Sequence, residues 1–110
     1  MSANINKNGQ HAVCDKRGHL WWRGASYHLG WEEARLLKMF FRNRTTPSSP
    51  DAIRAALDNY AIATSGVIRK VRRLRARLES LGISELARAI RPAGRLLEPG
   101  SFVLSETGGE

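Results

Sequence analysis

Residues 64–81, TSGVIRKVRRLRARLESL, constrain what this chain can fold into more than any other stretch. Val67, Val71, Leu74, Leu78 and Leu81 recur in steps of four and three, which places them on one stripe of a helix. Between them lie Arg69, Lys70, Arg72, Arg73, Arg75 and Arg77. These cannot follow the stripe into a core without a large desolvation cost. The helix must therefore bury one side and turn a cationic face outward. Thr64 or Ser65 is placed to cap its first free amides, and Gly82 stands where a left-handed residue ends a helix.

Only Glu79 opposes those six cations within the stretch. Water can solvate such a face, or an anionic partner can lie along it. The rest of the chain favours the partner. The formal net charge is +8, and from Arg69 to Arg95 nine Lys or Arg stand against Glu79 and Glu85, a local balance of +7. A field concentrated in this way points to nucleic acid first and to an anionic membrane surface second. The membrane reading is the weaker one, because the stripe is narrow and aliphatic, offers no Trp or Phe to the headgroup level, and is needed by a core.

At 110 residues the chain has room for one domain, and 42% hydrophobic with 25% charged residues is a globular composition. No apolar run is long enough to span a bilayer, and the amino-terminal MSANINKNGQ lacks the apolar centre of a signal peptide. The expected location is the cytoplasm, with no membrane partner. The single Cys14 excludes an intramolecular disulfide and fits a reducing compartment.

Residues 1–10 are polar and aperiodic and read as a flexible arm, 11–106 as the domain, and 107–110 as a frayed tail. From His11 to Leu29 short pieces, HAVCD, HLWWRG and SYHL, are separated by turn formers and suggest antiparallel strands. Trp21 and Trp22 are adjacent, so on a strand one faces inward and the other outward. Trp31 to Arg42 reads as a core helix with acids in its first turn, bases in its last, and Leu36, Leu37, Met39, Phe40 and Phe41 as its apolar surface. After the loop NRTTPSSP, Ser49-Pro50-Asp51 opens a second helix through Asp58, with Ile53, Ala56 and Leu57 inward. Beyond Gly82, Ala89 to Arg91 and Ser101 to Ser105 can pair as a hairpin.

His11, Cys14, His19 and His28 carry ligand chemistry, but their spacing shows no repeated pair of the kind that builds a zinc site. They read as ordinary strand and turn residues, so no metal or other cofactor is expected. Nor is catalysis: Ser26, Ser48 and Ser65 share no motif with a His and an acid, and no glycine-rich loop is present to cradle a phosphate.

The order of short strands, helix, helix, basic helix and hairpin resembles the winged helix-turn-helix effector domain of OmpR/PhoB-type response regulators, over roughly Ala12 to Leu104. The family's entry to its first helix, Leu-Thr-x-x-Glu-Phe-x-Leu-Leu, is similar to Leu29, Glu33, Leu36 and Leu37, with Gly30 in place of the capping threonine and Ala34 in place of the aromatic. Its recognition-helix pattern resembles Val67, Val71, Leu74, Arg75, Arg77 and Leu78, with Arg69 where an apolar or small residue is usual. The wing is echoed by Ile90-Arg91 and by Gly100 to Leu104 in a longer hairpin that carries Pro92 and Pro99.

The resemblance implies an α+β fold with short amino-terminal antiparallel strands, three helices and a carboxy-terminal hairpin wing. It also implies a sequence-specific regulator of transcription that binds double-stranded DNA through the basic helix in the major groove. Arg69, Arg72 and Arg73 are then expected at base edges, where a guanidinium bonds two acceptors of guanine at once. Lys70, Arg75, Arg77 and the hydroxyls of Thr64 and Ser65 are expected at phosphates, and Arg91 or Arg95 at the wing, toward a neighbouring minor groove. No receiver domain is expected, so control falls to abundance, a partner or a ligand; dimerisation on DNA is compatible with such a domain. A second expectation is that the same fold serves as an interaction module for another regulator or RNA polymerase, because fold does not fix function.

Overall fold

A two-residue turn and a polar loop shape the amino-terminal sheet. In the computed structural model, which describes residues 13–15, 17–93 and 100–105, β1 (Val13–Cys14), β2 (His19–Trp22) and β3 (Ala25–His28) pair antiparallel in that order. Cys14 stands opposite Leu20, and Leu20 opposite Tyr27. Arg23 and Gly24 both take positive φ between β2 and β3, the geometry whose twist suits a tight hairpin. In the loop before β2, Asp15 Oδ1 accepts from the amides of Arg17 and His19, each at 2.9 Å. Gly18 then turns the chain at φ +91°, and the Leu29 amide donates to its carbonyl at 2.8 Å. Any Cβ there would collide with the Leu29 carbonyl oxygen. Leu20 is buried, Trp22 packs against the core and Trp21 points outward, as strand alternation requires.

Helix α1 (Trp31–Arg42) follows. Gly30 has no side chain with which to cap it, but Glu33 Oε1 accepts from the Gly30 amide at 2.9 Å, which supplies half of a capping box. Helix α2 (Pro50–Leu57) begins as its sequence dictates, with Ser49 Oγ accepting from the Ala52 amide at 3.1 Å and Pro50 in the first turn. It ends at Asp58 in the left-handed region, φ +55°.

Helix α3 (Thr64–Ser80) differs from expectation at its start. Its cap is Ala63, without a side-chain bond, and Thr64 is already the first helical residue. The Thr64 hydroxyl instead accepts from Arg54 Nη2 at 3.1 Å, so the hydroxyl expected at the cap is held by α2. At its other end Gly82 has φ +85°, its amide donates to the Glu79 carbonyl, and the Ile83 amide donates to that of Leu78. This paired reversal closes the helix and buries Ile83 beside Leu78.

A fourth helix follows, where three were expected: α4 (Ser84–Ala89), which places Leu86, Ala87 and Ala89 in the core. Its six residues are too few to display a helical period in sequence, and it forms because the reversal at Gly82 lays it against α3. The strands β4 (Ile90–Pro92) and β5 (Phe102–Leu104) then pair antiparallel, with Arg91 opposite Val103, one residue out of step with the sequence expectation at the first strand. Ser48, in the α1–α2 link, bridges to Phe102, donating its amide at 2.7 Å and accepting that of Phe102 at 3.0 Å. The arm at 1–10, His11, the β4–β5 connection with Arg95 and Pro99, and the tail at 107–110 lie outside the described residues.

The fold is thus α+β, with four helices and two small antiparallel sheets around one core among the described residues. Leu36, Leu37, Phe40, Ile53, Leu57, Val67, Val71, Leu74 and Leu78 are all buried in it, each contributing about 1.5–3 kcal/mol by leaving water. Among the described residues no helix is long and apolar enough to cross a membrane.

Candidate nucleic-acid interface

Burying Val67, Val71, Leu74 and Leu78 fixes the rotation of α3, and rotation decides what each cation can meet. The six divide into three groups. Lys70 and Arg77 lie on the flank toward α1: Lys70 Nζ is 2.7 Å from Glu32 Oε1 and Arg77 Nε is 3.6 Å from Glu33 Oε1. Arg75 lies on the opposite flank, where its Nε donates to the Ala87 carbonyl of α4 at 3.2 Å. Arg69, Arg72 and Arg73 stand between these flanks, on the side opposite the core. All three are exposed, and their guanidinium groups have no carboxylate partner among the described residues.

Around them the outward face is built from Ser65, Ala76 and Ser80, all exposed and short, with the exposed Glu79 at its edge beyond Arg72, where its carboxylate accepts from the Ser84 hydroxyl at 2.8 Å. Each guanidinium keeps its full set of donors in a planar fork that fits a pair of acceptors. The acids of α1 serve two ends at once. They lie in the first turn, where the helix dipole favours them, and they neutralise the α3 flank nearest to them. The local charge of α3 is thereby focused on its outward face.

The remaining expected residues are dispersed. Thr64 is half-buried against Arg54, although its hydroxyl retains a proton to donate. Arg91 is exposed on β4 and its Nε donates to the Arg88 carbonyl at 3.4 Å. Arg95 lies outside the described residues.

The residue that sequence reasoning passed over is Arg54. It donates from Nε to the Ile62 carbonyl at 2.8 Å, from Nη1 to Asp51 Oδ1 at 2.7 Å and from Nη2 to Thr64, which fixes the α2–α3 link and the start of α3. Nothing in its sequence context marks this role, since two of its three acceptors lie beyond the end of its own helix. Arg23 was also passed over. Its guanidinium forms a bidentate pair with Glu85, at 2.6 and 2.8 Å, and ties the β2–β3 turn to α4.

The histidines of the sheet face each other across β2 and β3, with the rings of His19 and His28 5.5 Å apart, and His19 Nδ1 lies 3.3 Å from Asp15 Oδ2. Among the described residues no three of His, Cys, Asp or Glu gather as a metal site. Comparison with protein-family models, with curated proteins and with solved structures returned no match.

Proposed function

We propose that the protein is a winged helix-turn-helix regulator of transcription that binds double-stranded DNA in a sequence-specific manner, with α3 entering the major groove. One observation carries this reading: Arg69, Arg72 and Arg73 stand together on the outward face of α3 while Lys70 and Arg75 beside them are held by α1 and α4. A face meant only for solvation has no need of this sorting. Three arginines within five residues match the reach of a recognition helix, whose amino-terminal half lies deepest against base edges. The winged-helix reading is supported by the connection of the α1–α2 link to the β4–β5 pair through Ser48 and Phe102, which places a hairpin after the helices and beside their core.

In this reading Arg69, Arg72 and Arg73 contact base edges, and Ser65 with the exposed Arg77 lies toward the phosphates. Lys70 and Arg75 are positioning residues that hold α3 against its neighbours. The test begins with selection of a preferred duplex from a random library by the whole chain. On that duplex Arg73→Ala costs about 1–3 kcal/mol and leaves binding to a scrambled duplex much less changed. Arg77→Ala weakens both about equally and lowers the slope of log affinity against log salt by about one. Failure to enrich any sequence, or equal losses for Arg73→Ala on both duplexes, would refute a sequence reader.

A further inference from the structure

Helix α1 separates its charges by side. Glu32 and Glu33 turn toward α3, whereas Trp31, Arg35, Lys38 and Arg42 form an exposed row at helical spacing on another side. Between this row and α2 runs an open groove of about 800 Å³. Met39, Ala52 and Ala56 give it an apolar floor, and Trp31, 58% exposed, forms a wall on which the Arg35 guanidinium rests 5.1 Å from the ring centre. Arg35 also approaches the Ala56 carbonyl at 3.5 Å, spanning the groove at one point.

Among the described residues the only acid lining this groove is Asp15, and its carboxylate is occupied by the amides of Arg17 and His19 and by the His19 ring. The rim therefore carries three cations and no carboxylate free to answer them. We infer that the groove between α1 and α2 is a docking site for an acidic amphipathic helix of a partner protein.

Charge and shape together select this occupant. Arg35, Lys38 and Arg42 are spaced by three and four residues and extend over about 10 Å of helix, at 1.5 Å per residue. A partner helix with Asp or Glu at matching positions can set a carboxylate against each cation while its aliphatic residues enter the floor beside Trp31. The alanines of α2 leave room for that helix to come close. A DNA duplex is a poorer occupant, because its convex phosphate backbone asks for cations flush with the surface and gives an apolar floor nothing to bury. The site is independent of the α3 face and of the DNA-binding reading.

The probe is a blocked peptide of about 16 residues with Glu at i, i+3 and i+7 and Leu on the adjoining face, long enough to cover the row. It is titrated into the isotope-labelled full chain and followed by amide and indole chemical shifts. The expected result is saturable binding, with shifts at the Trp31 indole and the amides of residues 52–56. Replacing the leucines by serine at unchanged charge weakens binding about tenfold or more, as does the Arg35→Glu, Lys38→Glu double variant, whose side chains are exposed and whose fold is checked by circular dichroism. A second variant, Ala55→Arg, blocks the groove without removing a cation and also abolishes the shifts. Absence of saturable binding, equal binding by the serine peptide, shifts on α3 in place of α1 and α2, or the same shifts produced by a duplex oligonucleotide would each overturn the assignment.

Discussion

Arg54→Ala is the substitution whose consequence follows most directly from the structure. The side chain is only 17% exposed and donates to three acceptors on three segments: Asp51 in α2, Ile62 in the link and Thr64 in α3. The Asp51 carboxylate is 89% exposed, so that pair contributes at most about 1 kcal/mol. The bonds to Ile62 and Thr64 come from a charged donor in a half-buried setting, where each contributes about 1 kcal/mol once water is allowed to replace part of it. Removal of the side chain should therefore destabilise the protein by about 2–3 kcal/mol. Arg54→Lys keeps the charge beside Asp51 but cannot span both remaining acceptors, because an ammonium is a point charge where a guanidinium is a fork. It should recover less than half of the loss. Urea unfolding monitored by far-ultraviolet circular dichroism measures both variants, with the midpoint moving and the slope unchanged. A loss below about 0.5 kcal/mol for Arg54→Ala would show that water satisfies Ile62 and Thr64 fully, and would refute the account of how α3 is anchored.

Gly18→Ala places a Cβ against the Leu29 carbonyl oxygen in a left-handed conformation, and should cost about 2–4 kcal/mol in thermal or urea unfolding; a neutral result would contradict the geometry of the β1–β2 loop. A double-mutant cycle on Glu32→Gln and Lys70→Met should return a coupling of about 1 kcal/mol, since both side chains are about two-thirds or more removed from solvent; a value near zero would mean that the ion pair does not orient α3. Asp15 gives a pH signature. The His19 amide, above all, and then the Arg17 amide hold its carboxyl below the ordinary value of 3.8. Because the folded value is depressed, the stabilisation is complete above 3.8 and is lost as pH falls through that lower value. The amide shift of His19 should report a midpoint below 3.8, and a midpoint at or above it would remove the cap.

Where period and punctuation agree over many residues, the sequence was legible. The stripe of α3, the Ser49-Pro50 entry to α2 and the Gly82 stop all have short-range causes, and the structure places them as those causes require. What eluded reading depends on neighbours distant in the chain. Helix α4 has six residues and no side-chain cap, and is held by the burial of Leu86, Ala87 and Ala89. Lys70 and Arg69 are adjacent and chemically alike, yet one pairs with Glu32 and the other faces solvent, a distinction set by the packing of α1 on α3. The α1 row of Arg35, Lys38 and Arg42 went unread for the same reason, since its groove exists only once α2 is in place.

Strand β5 bonds to β4 along one edge and to the α1–α2 link at Ser48 and Thr45 along the other, while Phe102 and Leu104 complete the core. During synthesis this has a consequence in time. Every helix is already made before the residues that seal them exist, and their apolar faces stay incompletely covered until Leu104 has left the ribosome. Such long-range closure slows folding relative to a purely helical bundle. It also means that a released chain truncated after Pro92 presents the unpaired edge of Ile90–Pro92, a ready template for wrong pairing. Strand β5 is therefore the one that commits helices α1–α4 to a single core.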